Sequence, residues 1–168
     1  MAHENPFRLN VGFIAHEQVG YRRDFLFNLP SVRLEDLVLH RLEGYARFTR
    51  TPQGLLLEAH LVAWTPAECV RCLEPFEQRL EADFTELYAF SSKHVGESGL
   101  RYPESGLIDL APLVREYMWL AFPIKPLCTP ECKGLCPICG ANLNHEDCGH
   151  TIEHIDPRWE VLKSLLES

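Results

Sequence analysis

Long apolar runs are missing from this sequence. No stretch approaches the roughly 18 uninterrupted apolar residues that a membrane-spanning helix needs. Residues 1–6 contain no basic region leading into an apolar one, which is the pattern of a secretory signal. These absences predict a soluble, cytoplasmic protein that does not contact a membrane.

The common signatures of catalysis are also missing. The chain has no Gly-rich phosphate loop, no Gly-x-Ser-x-Gly and no His-Glu-x-x-His. Its Cys-x-x-Cys pairs do not accompany the βαβ pattern expected of a thiol oxidoreductase. We therefore predict no catalytic residues and no enzymatic activity. A thiol-based enzyme is therefore the least favoured of three hypotheses for the function, and the other two, given below, are non-enzymatic.

Positive charge is scarce, with 16 Lys and Arg against 24 Asp and Glu and a net charge of -8. This balance disfavours nonspecific binding to nucleic acid, which gains affinity when Lys and Arg displace counterions from phosphates. Residues 51–168 hold nine basic and eighteen acidic residues, so this part favours a basic protein partner. Any RNA contact would favour residues 1–50, which hold six acidic residues and seven arginines: Arg8, Arg22, Arg23, Arg33, Arg41, Arg47 and Arg50.

The chain is large enough to bury a core, since 46% of its 168 residues are hydrophobic.

Imperfect alternation predicts a first strand over residues 7–15. An apolar patch at residues 25–27 is predicted to end at Pro30. The apolar residues between positions 34 and 38 have helical spacing and predict a short helical turn.

Three strands are predicted in the middle of the chain. Residues 42–51 and 55–64 are rich in apolar and aromatic side chains, and the turn sequence at residues 52–54 makes them a hairpin. Apolar and charged residues alternate over residues 76–88, so one face is buried. The other face is solvated and carries Glu77, Glu81 and Asp83.

Two helices complete the predicted fold, after a loop over residues 91–107. Asp109 caps the first, whose apolar stripe is Leu110, Leu113, Val114, Tyr117 and Ala121. The second starts at Asp156-Pro157 and packs Trp159, Leu162, Leu165 and Leu166.

The predicted class is α+β, mainly an antiparallel β-sheet or a partly open barrel, with two helices and a C-terminal zinc-binding knuckle. We predict a β-rich domain with one helix over residues 1–125. A cysteine-rich segment, 126–155, should pack on the Cys69/Cys72 turn, and residues 156–168 should form the C-terminal helix.

Cysteine is the residue that the sequence has in an unusual arrangement. Seven is an odd number, and most of the seven fall in Cys-x-x-Cys or Cys-x-x-x-Cys spacing, which favours metal binding over a disulfide framework. Zinc in structural sites takes four thiolate or imidazole ligands, so eight ligands predict two Zn2+ ions. The candidate ligands are Cys69, Cys72, Cys128, Cys132, Cys136, Cys139, Cys148 and His150.

Two pairings of these ligands are compatible with the spacing. In the preferred one, Cys69 and Cys72 join Cys128 and Cys132, and the last four residues form a local knuckle. In the other, Cys69 and Cys72 join Cys136 and Cys139 in one zinc ribbon. Spacing alone leaves both open.

Three motifs resemble those of the YceD family, the bacterial and plastid large ribosomal RNA subunit accumulation proteins. They are the hairpin Thr49–Gly54, the signature Glu68–Phe76 and the tail Pro126–Asn144. Family members often end the tail in Cys-x-Cys where this chain has Cys148-Gly149-His150, a change that keeps a zinc ligand.

This resemblance implies a role in ribosomal RNA accumulation and large-subunit assembly. It also implies a partner, because genes of the family tend to lie beside that of a small basic large-subunit protein. We therefore expect a non-enzymatic zinc-binding assembly factor that contacts a basic ribosomal protein or a pre-ribosomal particle. The alternative is a zinc-ribbon protein that binds nucleic acid.

Overall fold

The computed structural model describes residues 5–150. Within this range the chain forms six strands, two α-helices and a short 3-10 helix. Their bounds are β1 (Arg8–Asn10), α1 (Gly12–Ala15), β2 (Arg22–Leu34), β3 (Leu37–Arg50), β4 (Gly54–Glu68), β5 (Pro75–Ala89), the 3-10 helix (Ser92–His94), β6 (Leu107–Asp109) and α2 (Ala111–Leu120).

Strands β2 to β5 form one antiparallel sheet in chain order. On β4, alternate residues such as Leu55, Leu57 and Leu61 are buried, because successive side chains of a strand point to opposite faces. The charged face predicted for β5 is confirmed as exposed. Over residues 5–150 the sheet is open rather than a barrel, since β2 and β5 are its edges.

Helix α2 covers part of the buried face of the sheet. Its residues Val114 and Met118 are buried, and the Tyr117 ring stacks on Phe84 of β5 with centroids 4.2 Å apart. The Tyr117 hydroxyl also donates to a Glu86 carboxylate oxygen at 2.7 Å. The predicted apolar stripe is confirmed, but Met118 was missed. The N-cap of α2 is Leu110 rather than the predicted Asp109, although the Asp109 carboxylate accepts a hydrogen bond from the Ala111 amide at 2.9 Å.

The strand predicted over residues 7–15 was wrong. The segment is a three-residue strand, β1, paired with β6, followed by the short helix α1. The Asn10 side chain accepts a hydrogen bond from the Gly12 amide at 3.1 Å and so turns the chain out of the strand. Val11 and Ile14, three residues apart, are then both buried.

The predictions for residues 30 and 34–38 were also wrong. Strand β2 continues through Pro30 to Leu34, because an edge strand tolerates a residue that lacks an amide hydrogen. No helical turn forms after it within this described segment. Leu34 instead pairs with Leu37 across a two-residue turn, in which Glu35 has a φ of 54°.

Two connections position the cysteines. Cys69 and Cys72 lie in the turn between β4 and β5, and the remaining cysteines follow α2. The second predicted helix, from residue 156, lies outside the described residues. Among residues 5–150, no helix is both long enough and apolar enough to cross a membrane.

Candidate metal centres

The first centre joins segments that are far apart in the chain. Cys69, Cys72, Cys128 and Cys132 bring their sulfur atoms within 4.8 Å of one another. Two of the Sγ–Sγ distances are 3.7 Å, from Cys69 to Cys132 and from Cys72 to Cys128. Cys69, Cys72 and Cys132 are buried and Cys128 is half-buried, with Phe76, Leu127 and Leu135 packed around them.

The spacing of these sulfurs fits a tetrahedral metal ion better than a disulfide. A disulfide needs sulfurs about 2.0 Å apart, and all seven cysteines are free. Zinc bound to four sulfurs at about 2.3 Å gives a regular tetrahedron with edges of about 3.8 Å. The two distances of 3.7 Å match that edge, so this donor set fits zinc.

Backbone hydrogen bonds hold the first turn in shape. The Leu73 amide donates to the Cys69 carbonyl at 2.9 Å, and the Cys69 amide donates to the Glu74 carbonyl at 3.0 Å. The turn is also tied to the segment after α2. The Val70 amide donates to the Pro126 carbonyl, and the Arg71 guanidinium donates to the Cys132 carbonyl at 2.8 Å.

Three thiols of the first centre, those of Cys69, Cys72 and Cys128, differ in pKa. Burial opposes ionisation of Cys69, but amide hydrogens of Cys128, Cys72 and Arg71 lower its pKa to about 6. The Glu74 amide favours the Cys72 thiolate, but burial and the neighbouring sulfurs raise the pKa of Cys72 to about 12. Burial also raises the pKa of Cys128. The protein alone therefore favours the Cys69 thiolate and disfavours those of Cys72 and Cys128, which a bound cation would stabilise.

The second centre is local in sequence. Cys136, Cys139, Cys148 and His150 bring their ligand atoms within 4.8 Å of one another, and Cys136 Sγ lies 3.9 Å from His150 Nδ1. Amide hydrogens of Cys139 and Ile138 lower the pKa of Cys136 to about 6 although burial opposes ionisation. Cys139 and His150 are exposed, so this centre is more open to solvent than the first.

The two Cys-x-x-Cys turns share one backbone geometry. The Gly140 amide donates to the Cys136 carbonyl at 2.8 Å, as the Leu73 amide does to Cys69. Both residues have a left-handed backbone conformation, with a φ of 76° for Gly140 and of 59° for Leu73. Glycine adopts this conformation freely, whereas for an L-residue such as leucine it costs about 1–2 kcal/mol.

Asn144 connects the two centres, and its role was not predicted. Its Nδ2 donates to Cys132 Sγ at 3.3 Å, and its Oδ1 accepts from the Lys133 amide at 2.8 Å. Asn142 orients it, since the Asn142 side chain accepts from the Asn144 amide. The Asn-x-Asn spacing is a signal for such a local turn, although it does not reveal the distant sulfur.

The structure groups the eight candidate ligands as in the preferred pairing, in which Cys69 and Cys72 meet Cys128 and Cys132. These two clusters could hold metal ions. A third group, His60 with Glu81 and Asp83, lies on the exposed sheet face. Its two carboxylates already have partners within the protein, because Asp83 contacts His60 at 2.7 Å and Glu81 contacts Arg79 at 2.6 Å. We do not treat it as a metal centre.

Comparison with known families agrees with the cysteine motifs. A family model described as "Large ribosomal RNA subunit accumulation protein YceD" matches residues 57–166, which is more than half of the chain. The chain belongs to the YceD family. The matched residues include both cysteine clusters, and the resemblance inferred from the sequence is confirmed.

Individual relatives extend the comparison. An uncharacterized protein of Mycobacterium bovis is 37% identical over 125 residues, covering 71% of this YceD-family chain and 59% of the relative. One from Mycobacterium leprae is 29% identical over 124 residues, covering 71% of this chain and 57% of the relative. The chain thus spans less than two thirds of these curated relatives.

A plant protein also matches. "Large ribosomal RNA subunit accumulation protein YCED homolog 1, chloroplastic" of Arabidopsis thaliana is 37% identical over 65 residues, which is 39% of this chain and 20% of the plant protein. No solved structure matches this YceD-family chain.

Proposed function

We propose that this YceD-family chain is a non-enzymatic, two-zinc factor that supports large ribosomal subunit assembly and the accumulation of its RNA. The observation that carries the proposal is the pair of four-ligand clusters inside the family match. The names of the family and of the plant relative supply the ribosomal RNA link.

The ligand sets support structural zinc. Catalytic zinc usually has three protein ligands and an open position for water or substrate. Each cluster here offers four protein ligands, so zinc bound to all of them would have no open position. Such ions would join the β4–β5 turn to the chain after α2 and shape residues 134–150. Their contribution would be folding free energy and a rigid surface.

We infer that the partner is a basic large-subunit protein, or a pre-ribosomal particle that contains one. The acidic excess after residue 50 supports this partner, because complementary charge speeds encounter. Several N-terminal arginines already have contacts within the protein. Arg47 binds Asp24 at 2.7 Å, Arg50 donates to the Ala15 carbonyl at 3.0 Å, and Arg41 lies over Trp64. RNA contact would therefore fall to arginines outside this set, such as Arg8.

The test compares three binding reactions at about 0.15 M salt, where the Debye length is about 8 Å. Zinc-loaded protein is titrated with purified basic large-subunit proteins, with large-subunit RNA fragments and with the two combined. We expect binding to a basic protein, or to its complex with RNA, to be tighter than binding to RNA alone. Submicromolar binding to RNA with no protein affinity would favour the zinc-ribbon nucleic-acid binder instead. Turnover in an insulin-reduction assay would favour a thiol enzyme.

A further inference from the structure

The first Cys-x-x-Cys turn displays two aliphatic side chains to solvent. Val70 is 51% exposed and Leu73 is 55% exposed, although Cys69 and Cys72 beside them are buried. The turn that carries half of the first metal centre therefore has an apolar outer surface. We refer to Val70 and Leu73 as the apolar cap.

Leu73 is not needed for the shape of its turn. The second turn forms the same hydrogen bond with Gly140, a residue without a side chain. Leu73 holds a left-handed φ of 59°, which glycine or asparagine would adopt more easily. Its side chain is also more than half exposed, so its partial burial contributes little to the stability of the fold. An exposed aliphatic residue in a strained backbone conformation indicates a role in contact with another molecule.

Three acidic residues adjoin the apolar cap and the segments that contact it, alongside the basic residues Arg71, Lys125 and Lys133. Glu68 precedes Cys69, Glu74 follows Leu73, and Glu131 precedes Cys132. The nearby Arg71 turns its guanidinium onto the Cys132 carbonyl. Zn2+ bound by four thiolates would add two net negative charges directly beneath the turn. With zinc bound as in the proposed function, the net charge around the apolar cap would be negative, which repels phosphate and attracts Lys and Arg.

We infer that the Cys69–Cys72 turn is a docking surface for a Lys/Arg-rich protein segment that buries Leu73 and Val70 at the centre of the contact. This inference rests on the proposed function and specifies where its basic partner binds. Apolar contact in the centre would supply affinity, and the net negative charge of the zinc-loaded turn would speed encounter with a basic partner.

The deciding variant is Leu73→Asn, because asparagine tolerates the left-handed conformation and removes the apolar contact. Zinc content and thermal unfolding are measured first, and both should be at least as high as in the parent chain. Leu26→Asn is the matched control, since Leu26 is 81% exposed on β2, outside the cap. Purified basic large-subunit proteins are then tested one at a time with the full zinc-loaded chain.

We expect Leu73→Asn to weaken the tightest of these complexes by about tenfold or more, mainly through faster dissociation. Glu68→Lys should instead slow association and reduce its dependence on salt. Leu26→Asn should leave both rates unchanged.

Binding that Leu73→Asn leaves unchanged would overturn the docking surface and leave the proposed function standing. Absence of binding to every basic protein would overturn the docking surface and the proposed partner together. If Leu73→Asn weakened binding to RNA fragments alone, the occupant would be RNA and the inference would be wrong.

Discussion

The Sγ atoms of Cys69 and Cys132 lie 3.7 Å apart, although 63 residues separate the two cysteines in the chain. Strands β4 and β5 fix the position of Cys69, whereas Cys132 belongs to the segment after α2. A metal ion at this centre would cross-link the sheet to the cysteine-rich segment. The second centre would close only residues 136–150 upon themselves.

Loss of the first centre should therefore lower the stability of the protein more than loss of the second centre. We expect Cys132→Ser to lower the free energy of unfolding by more than about 3 kcal/mol, since structural zinc contributes about 10–16 kcal/mol in small domains. Cys148→Ser should mainly loosen residues 134–150. Hydrogen exchange by segment, together with thermal unfolding, distinguishes the two variants. Equal and global loss in both would indicate one coupled centre.

Zinc content provides the most direct check of the ligand count. Two closed four-ligand sets predict close to two zinc ions per chain after purification without chelators. Elemental analysis of the purified protein measures the ratio. A value below one would contradict the two-site proposal, and a value near one that Cys148→Ser leaves unchanged would assign zinc to the first centre.

Asn144 should tune the first centre through its hydrogen bond to Cys132 Sγ. We expect Asn144→Asp, which keeps the shape but replaces a donor with a negative charge, to weaken zinc affinity by about 10–100-fold. Competition with a chromophoric chelator measures the change. Asn10→Asp is a suitable control, because Asn10 uses its side-chain oxygen and keeps that acceptor as aspartate. An unchanged affinity in Asn144→Asp would show that the 3.3 Å contact has no electrostatic role.

The two left-handed turn positions predict opposite effects of substitution. Leu73→Gly should raise stability by about 1 kcal/mol by relieving the backbone, and Gly140→Ala should lower it by a similar amount. No atom would obstruct the added Cβ at Gly140, so φ alone causes the cost. Chemical denaturation of the zinc-loaded variants measures both. Destabilisation by Leu73→Gly would mean that the leucine side chain packs favourably in the free protein.

Gly44 in β3 should tolerate no side chain. A Cβ there would lie 2.1 Å from the His60 carbonyl oxygen on β4, and the residue has a φ of 144°. We expect Gly44→Ala to cost more than about 3 kcal/mol or to prevent folding, because two backbones cannot separate without breaking the ladder. Circular dichroism and thermal melting measure the loss. Gly96→Ala, where no atom lies within 4 Å, should be neutral.

Local signals explain which elements were predictable. The β3–β4 hairpin follows from the turn at residues 52–54, and β5 follows from the alternation of apolar and charged residues within Phe76–Tyr88, so both were predicted. Pro30 was wrongly predicted to end its strand. A proline is tolerated in an edge strand, and whether β2 is an edge depends on the whole sheet. The helical spacing of Leu34 and Leu37 wrongly predicted a helical turn, because the two residues between them form a hairpin turn instead.

The candidate site shows the same division between local and distant information. Cysteine spacing identified the eight residues that the structure gathers into two clusters, and their metal binding stays a prediction. Spacing could not choose between the two pairings, because the distance from Cys69 to Cys132 depends on how the sheet and α2 pack. The left-handed φ of Leu73 and the contact from Asn144 to sulfur likewise exist only in three dimensions.

The chain order of the large sheet implies an order of events during synthesis. All four of its strands are complete by Ala89, whereas Cys128 and Cys132 are made roughly 40 residues later. A nascent chain can therefore form its sheet while half of the first centre is still absent. Closure of that centre would follow formation of the sheet and would require translation through residue 132. A chain that stopped between residues 121 and 127 would contain all four strands and α2, but only the Cys69 and Cys72 half of the first centre.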